Sequence, residues 1–238
     1  MLVRDIEKAY AAFAEISWNY GPAVPRGALV HLCRRIDACK GPVRVLELGG
    51  GFSTLLWQAL DRLGLLEAQV TTLLHEPGEA EALQGLVRES GIVDIRLRGL
   101  KQLTDEERER VFADPASSAA QWASFGSPVP PDQYRHYTIR NAFYDDIGLE
   151  LPDHAVDVLI VDGPHGNGRS LAYPLLGLKL KPDALVLVDD FDHYPFLADM
   201  ARILPHRELY RDIVGDKRWA LVRLEEALPA LGKEESGR

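Results

Sequence analysis

The residues that could do chemistry in this chain include a carboxylate and a run of glycines beside a short apolar run. Glu47 lies inside the apolar run 43–48, and the glycines 49–51 and Ser53 come directly after it. Glycines let a backbone turn sharply and approach a ligand without a Cβ in the way. The helix expected next would direct unpaired N–H groups toward the same place. We therefore expect a ligand site bordered by Glu47, Gly49, Gly50, Gly51 and Ser53; a tight turn without a ligand is the alternative.

The glycine pattern matches neither of the two common phosphate-binding motifs. Gly49 and Gly51 are not followed by a third glycine at position 54, as G-x-G-x-x-G requires. No Gly-Lys-Ser/Thr follows either, so the turn is not a P-loop.

Further carboxylates follow later apolar runs that read as strands. Glu76 comes after 70–74, Asp162 after 156–161, and the pair Asp189 and Asp190 after 184–188. The carboxyl ends of parallel strands share one edge of a sheet, where ligands bind in open α/β folds. Three aspartates at one edge repel each other unless a cation or protons compensate.

Oxygen-rich sites of this kind suit Mg²⁺ or Ca²⁺. The sequence therefore predicts metal ligation by Asp162, Asp189 and Asp190. In the alternative, one of the last two aspartates caps the following helix.

Two histidines follow the same strand ends as these aspartates. His165 lies in the turn Asp162-Gly163-Pro164-His165-Gly166, and His193 follows the second aspartate pair. A neutral imidazole accepts a proton near pH 7, so either histidine is a candidate general base. Both are equally compatible with exposed loop positions.

Composition restricts the class of protein and its environment. The 238 residues are 46% hydrophobic and 26% charged, as in ordinary soluble domains. A net charge of -9 argues against a nucleic-acid partner. No apolar run reaches the ~20 residues that cross a bilayer, and the acidic N-terminus is unlike a signal peptide. Cys33 and Cys39 are six apart on one expected helix and are not expected to form a disulfide. We expect a cytoplasmic protein with no membrane partner.

The elements that must position these residues alternate between strand and helix. An N-terminal helical cap is expected over 1–40, a main domain over 41–231 and a flexible tail over 232–238. Two strand-like runs around Gly215 predict a closing hairpin. The fold class is therefore α/β: a doubly wound, mostly parallel, seven-stranded Rossmann-like sheet with a C-terminal antiparallel hairpin and helices on both faces.

An insertion over 100–143 interrupts the alternation. It contains an acidic helix over 105–112 and a polar stretch, and it is too long for a simple connection. Such segments are often lids, since loops commonly carry function; a structural or oligomer-forming insert is the alternative.

Together, these residues resemble those of the class I S-adenosylmethionine-dependent methyltransferases. The resemblance covers roughly 43–224 and rests on Glu47-x-Gly49-x-Gly51-x-Ser53, the acids after the second, fourth and fifth strands, and the hairpin. It implies S-adenosylmethionine as cofactor, with Gly49 and Gly51 beside its methionine moiety. It also implies that Glu76 accepts the two ribose hydroxyls, although a charge at a helix N-terminus is a second explanation for that residue. Ser53 stands where the family usually has a third glycine.

The acids after the fourth and fifth strands resemble the metal-assisted, catechol-type O-methyltransferases. That branch has Asp-Asn where this chain has Asp189 and Asp190, and a lysine where His165 is the obvious substitute. The Asp-Gly-Pro-x-Gly turn also resembles a bacterial methyltransferase group and the plant glucuronoxylan O-methyltransferases. This second resemblance favours a sugar or another aliphatic hydroxyl as the acceptor.

The resulting expectation is O-methylation of a small hydroxylated molecule, a phenol or a sugar, with a divalent ion assisting. Asp162, His165 and His193 are the candidate catalytic residues, and Asp162 also belongs to the cofactor set. Aromatic residues that could line an acceptor pocket are Trp18, Tyr20, Tyr137 and Tyr144, although aromatics are often core residues. The alternatives are a methyltransferase acting on nitrogen or on a macromolecule, and a non-catalytic protein with a repurposed fold. A homodimer is compatible with the sequence.

Overall fold

The computed structural model of the chain describes residues 3–11, 24–36, 41–87, 90–135 and 139–229. Its strands, numbered along the chain, are β1 (Val43–Leu48), β2 (Ala68–Leu74), β3 (Val93–Leu97), β4 (Leu100–Gln102), β5 (Ser127–Pro128), β6 (Ala142–Tyr144), β7 (Val156–Val161), β8 (Leu180–Asp189), β9 (His206–Val214) and β10 (Lys217–Leu224). The α-helices are α1 (Val3–Ala11), α2 (Arg26–Arg35), α3 (Phe52–Arg62), α4 (Pro77–Val87), α5 (Asp105–Ala113), α6 (Ser118–Ser124), α7 (Ala172–Leu176) and α8 (Phe196–Ala201). None of the helices within these ranges is long and apolar enough to cross a bilayer.

Seven strands form one sheet in the order β3-β2-β1-β7-β8-β10-β9. The strands β3, β2, β1, β7 and β8 pair in parallel, whereas β10 runs antiparallel to both of its neighbours. The strand order reverses between β1 and β7, and in open α/β sheets ligands bind beyond the carboxyl ends of the strands at such a point. The predicted fold class is confirmed, including the closing hairpin.

The central strands are apolar because helices or loops cover both faces of the sheet. In β7, four of six residues form the continuous buried run 158–161, and in β1 the residues 45–48 are buried as well. Their registers match, with Val45 opposite Val158 and Leu48 opposite Val161. This pairing aligns the carboxyl ends of β1 and β7, so the turns that follow them are neighbours.

The insertion folds into a small layer of its own. Its strands form a three-stranded antiparallel sheet in the order β5-β4-β6, and α5 confirms the predicted acidic helix. Thr104 and Glu107 form a capping box at the start of α5. Trp122 and Phe143 bury their rings in the same core cluster as the inner strands. The strands have only two or three residues each, too few to show a period in the sequence. Its function as a lid stays a prediction.

The helical segment after β7 is short. It consists of the five-residue α7, flanked by the 3-10 turns Asn167–Leu171 and Gly177–Lys179. Pro174 supplies no N–H to a longer helix, which explains this short length. Cys33 is a buried thiol on α2, and burial raises its pKa to about 12, so a core role fits it. Cys39 and the tail over 232–238 lie outside the described residues.

We predict that Gly168→Ala destabilises the fold by about 3 kcal/mol, at the upper end for overpacking. A Cβ at this position would overlap the backbone of Ala142 in β6, because the turn after β7 packs directly against the insertion. Gly85→Ala in α4 is the control, since a Cβ there meets nothing within 4 Å and alanine favours the helix. Urea unfolding measures both variants. Equal stability of Gly168→Ala and the wild type would contradict this packing.

Candidate active site

The glycine turn between β1 and α3 lies directly against the turn that follows β7. A Cβ on Gly49 would come within 3.2 Å of the backbone carbonyl carbon of Asp162 and of the Gly163 amide nitrogen. Gly49 also has a φ of +85°, which favours glycine. Gly51 differs, because its φ is +153° and a Cβ there would meet no atom within 4 Å. Gly49 therefore permits two loops to meet, whereas Gly51 borders open space.

Glu47 is wholly buried beneath this turn. Its Oε2 accepts hydrogen bonds from Thr54 Oγ1 at 2.6 Å and Thr72 Oγ1 at 2.8 Å, and its Oε1 accepts one from Trp57 Nε1 at 2.9 Å. Thr54 Oγ1 in turn accepts from the Gly51 amide at 3.1 Å. Burial raises the pKa of Glu47, while these donors and Ser53 oppose that rise. The carboxylate thus holds the glycine turn through Thr54, and the predicted direct contact with a cofactor stays a prediction that this geometry does not favour.

The other residues of the turn are small because neighbouring elements leave no room. A Cβ on Gly50 would collide with the Thr72 methyl group. Ser53 is buried in the first turn of α3. The turn is therefore packed against β2 on one side and open toward solvent at Gly51.

Glu76 lies just beyond the end of β2 with its carboxylate only partly satisfied. Its Oε1 is buried without a hydrogen-bond partner, and its Oε2 lies 3.3 Å from the guanidinium of Arg135 in the insertion. An unpartnered buried carboxylate oxygen calls for an explanation, and a ligand's hydroxyl group is a suitable donor.

Asp162 and Asp189 lie side by side at the ends of β7 and β8. Burial raises the pKa of both carboxyl groups, and that of Asp189 more strongly because the charges of Asp162 and Asp190 add to its burial. Ionising both groups at once is therefore costly without a neighbouring positive charge.

The Arg169 guanidinium lies next to this pair of aspartates. The guanidinium is buried; its Nε donates to the Pro164 carbonyl at 2.8 Å and its Nη1 to the Asp189 carbonyl at 3.3 Å. Its Nη2 lies 3.9 Å from Asp162 Oδ1. One cation thus ties together the turns after β7 and β8.

These acids do not fit the expected site for Mg²⁺ or Ca²⁺. The guanidinium of Arg169 already lies beside Asp162, where it supplies positive charge that a divalent ion would otherwise provide. Asp190, whose φ is +51°, has His193 as its neighbour, with Nδ1 3.6 Å from Oδ2. Within the described ranges, no three His, Cys, Asp or Glu side chains are arranged to hold an ion. Metal ligation by Asp162, Asp189 and Asp190 is not supported.

The two predicted histidines occupy different environments. His165 is partly buried, and burial together with Arg169 lowers its pKa, while Glu76 and Asp190 partly oppose that shift. The ring therefore lies close enough to Glu76 and Asp190 to feel their charges, and its centroid is 6.0 Å from that of His75. His193 is exposed and lies beside Asp190. The geometry favours His165 over His193 as the base of the site.

Some site residues were missed by sequence reasoning. His75 precedes Glu76, and its ring centroid lies 6.0 Å from that of His165. A rule that examined every polar residue at a strand end would have found His75, whereas nothing in the sequence marks Arg169 or Arg135. Tyr144 is fully buried and donates to the Leu73 carbonyl at 3.0 Å, as a core residue does. Trp18, Tyr20 and Tyr137 lie outside the described residues.

Comparison with known proteins now defines the class. A family model described as a methyltransferase domain matches residues 46–191, more than half of the chain, so the chain belongs to this family. It is an S-adenosylmethionine-dependent methyltransferase. A comparison with curated proteins finds no match.

Several solved structures are similar to this chain but distant from it in sequence. A SAM-dependent methyltransferase from Aquifex aeolicus is 13% identical, with 82% of this chain and 88% of that chain covered and a TM-score of 0.43. The YcgJ protein from Bacillus subtilis is 11% identical, with 85% and 99% covered and a TM-score of 0.47. The [4+2]-cyclase SpnF is 13% identical, with 96% and 94% covered and a TM-score of 0.46.

The residues at the sheet edge fit the cofactor that the family implies. The open side of Gly51 leaves room for a close approach to the backbone, and Glu76 Oε1 offers an unpartnered acceptor for a ribose hydroxyl. The acids Glu76, Asp162 and Asp190 give this edge the negative charge that suits a sulfonium cation. Gly51, Glu76 and Asp162 are thus the residues that would hold S-adenosylmethionine.

We predict that Glu47→Gln lowers the free energy of unfolding by about 1–3 kcal/mol, the cost of leaving buried donors without an acceptor. An amide presents one acceptor oxygen to three donating side chains. Gln58→Met, also on buried α3, is the control, because both polar atoms of Gln58 are buried without partners and their removal should not destabilise. Denaturant titration compares the variants; equal stability of Glu47→Gln and Gln58→Met would refute the role given to Glu47.

Gly51→Ala is expected to weaken S-adenosylmethionine binding at least tenfold, roughly 1.4 kcal/mol. The added methyl group fills the open space beside the turn. Gly64→Ala is the matched control, since it also has a positive φ and an unobstructed Cβ, and it lies in the turn after α3, away from the strand ends that carry the site. Both substitutions place alanine at a positive φ, with the greater strain at Gly51, so calorimetric titration compares the ligand affinities of the two variants once each is shown to be folded. Equal affinities of the two variants would remove Gly51 from the cofactor site.

Proposed function

We propose that this methyltransferase O-methylates a small hydroxylated molecule, a phenol or a sugar. The observation that carries the proposal is the position of His165, a partly buried imidazole in the turn after β7 whose ring centroid lies 6.0 Å from that of His75 beside Glu76. Burial and the positive charge of Arg169 keep this ring neutral at pH 7, so it can accept a proton.

The chemistry asks little more of the protein than positioning and deprotonation. S-adenosylmethionine supplies the activated methyl group when bound. The acceptor hydroxyl is a weak acid, with a pKa near ~10 for a phenol and higher for a sugar. A base within hydrogen-bond reach of that hydroxyl takes its proton as the oxygen attacks in line. In this chain, His165 has that role.

Hydrogen bonds hold the loop that carries His165 on both sides of this residue. Arg169 donates to the carbonyl of Pro164, the residue directly before His165, and Asn167 Oδ1 accepts from the Asn141 amide at 2.8 Å. The turn is therefore fixed from the core on one side and from the insertion on the other. Asp162 opens the same turn with its side chain partly exposed, and it would help to orient the sulfonium.

The proposal is tested by cofactor binding followed by product formation. Calorimetry with S-adenosylmethionine establishes binding, and a panel of catechols, sugars and amines with mass-spectrometric detection identifies the methylated atom. We expect an O-methyl product, and turnover that a chelator does not reduce, since the acids do not fit a metal. Methylation of amines alone would overturn the O-methyl assignment.

The pH profile of kcat/KM reports the base in the free enzyme. Because the pKa of His165 lies below its usual 6.5, the acidic limb should be centred below pH 6.5, with activity retained above it. His165→Gln should lower turnover by about 10²-fold or more and remove this limb. His193→Gln is the control and should keep both the rate and the limb. Loss of the limb in His193→Gln, with His165→Gln active, would assign the base to His193 instead.

A further inference from the structure

His75 is a buried imidazole at the edge of the site whose two polar atoms have no partner. It lies directly after β2 and before Glu76, and only 7% of the residue is exposed. Neither Nδ1 nor Nε2 makes a hydrogen bond to any part of the chain that the structure describes. Buried polar side chains are nearly always hydrogen-bonded, so a pair of unpartnered ring nitrogens indicates a missing partner.

The rings around His75 hold it in place without satisfying its nitrogens. The ring centroids of Tyr134 and Tyr144 lie 5.7 Å and 6.2 Å from its own. The Tyr144 hydroxyl donates to the Leu73 carbonyl, and the Tyr134 hydroxyl accepts from the Leu100 amide at 3.2 Å. The hydroxyl groups of Tyr134 and Tyr144 are thus both bonded to the backbone. The two rings pack near the imidazole, but neither hydroxyl makes a hydrogen bond to its nitrogens.

The protonation state of the His75 ring determines which chemical groups could be its hydrogen-bond partner. Burial lowers the pKa of His75 to about 4, so the imidazole is neutral at pH 7. A neutral imidazole offers one N–H donor and one acceptor nitrogen. A hydroxyl group matches either nitrogen, because it both donates and accepts hydrogen bonds.

The neighbouring carboxylate, that of Glu76, also has a buried oxygen atom without a hydrogen-bond partner. This atom is Oε1, and the charge of Glu76 acts on the His75 ring. Two consecutive residues at one strand end thus offer hydrogen-bonding atoms that the chain leaves unused. A vicinal diol presents two adjacent hydroxyls, and the nucleoside part of the methyl donor carries such a diol on its ribose.

We propose that His75 is a cofactor-binding residue that makes a hydrogen bond to a ribose hydroxyl of the methyl donor, beside Glu76. This inference rests on the cofactor site described above and not on the identity of the methyl acceptor. It adds a neutral contact to the charged one, so the ribose is held by two neighbouring residues of different chemistry.

Calorimetric titration with S-adenosylhomocysteine tests the proposal. His75→Phe keeps a ring between the two tyrosines but removes both nitrogens, and its affinity should fall about tenfold, the size of one neutral hydrogen bond. His75→Gln, which keeps a donor and an acceptor, should restore most of that loss. The 2′,3′-dideoxyribose analogue of S-adenosylhomocysteine should bind the wild type and His75→Phe equally, because it lacks the hydroxyl concerned.

His206→Phe is the matched control. His206 begins β9 at the opposite edge of the sheet, where it pairs with Leu224, so the same substitution there should not change the affinity. Thermal melting without ligand checks that each variant is folded, and the smaller His75→Leu replaces His75→Phe if the larger ring disrupts packing.

Two results overturn the inference: a folded apolar variant that binds S-adenosylhomocysteine as the wild type does, or one that loses the same factor for the dideoxy analogue. Failure of the proposed function is a separate outcome. The wild type would then bind S-adenosylhomocysteine while no hydroxyl compound of the panel becomes methylated.

Discussion

The direct packing of the glycine turn against the turn after β7 is the constraint on which the site depends. Gly49 and the backbone of Asp162 and Gly163 approach so closely that no side chain fits between them. The matched registers of β1 and β7 bring these turns together, and the apolar runs of both strands keep that part of the sheet rigid. Residues more than a hundred positions apart therefore become neighbours with little freedom to separate, which is what a preorganised binding site requires.

A buried carboxylate and a buried guanidinium complete this constraint from inside the protein. Glu47 gathers side-chain donors from α3 and β2, and through Thr54 it fixes the Gly51 amide. Arg169 ties the Pro164 and Asp189 carbonyls together under the aspartate pair. Buried charges are costly unless they are hydrogen-bonded. Here Glu47 accepts from side chains of α3 and β2, and Arg169 donates to two backbone carbonyls at the strand ends. The charged groups beneath the sheet edge therefore position the turns, and the buried atoms left unpartnered among the described residues near this edge include those of Glu76, His75 and Asp189.

Much of the fold follows from the sequence because its signals are local. Apolar runs followed by acids or glycines define β1, β2, β7 and β8, and the hairpin expected around Gly215 matches β9 and β10 closely. The short strands of the insertion carry no such signal, since two or three residues cannot show a period. Their pairing depends on contacts between residues distant in sequence, such as Leu100 opposite Tyr144. A local sequence pattern does not predict such contacts.

The candidate site was predictable in position but not in its counter-charge. The edge of the sheet and the acids Glu76, Asp162 and Asp189 follow from the positions where strands end. Spacing alone predicts that a metal ion compensates the crowded aspartates, whereas in the structure the guanidinium of Arg169 lies 3.9 Å from Asp162. That contact depends on where the arginine side chain points once the chain is packed, so the counter-charge of an acidic cluster cannot be decided from spacing alone.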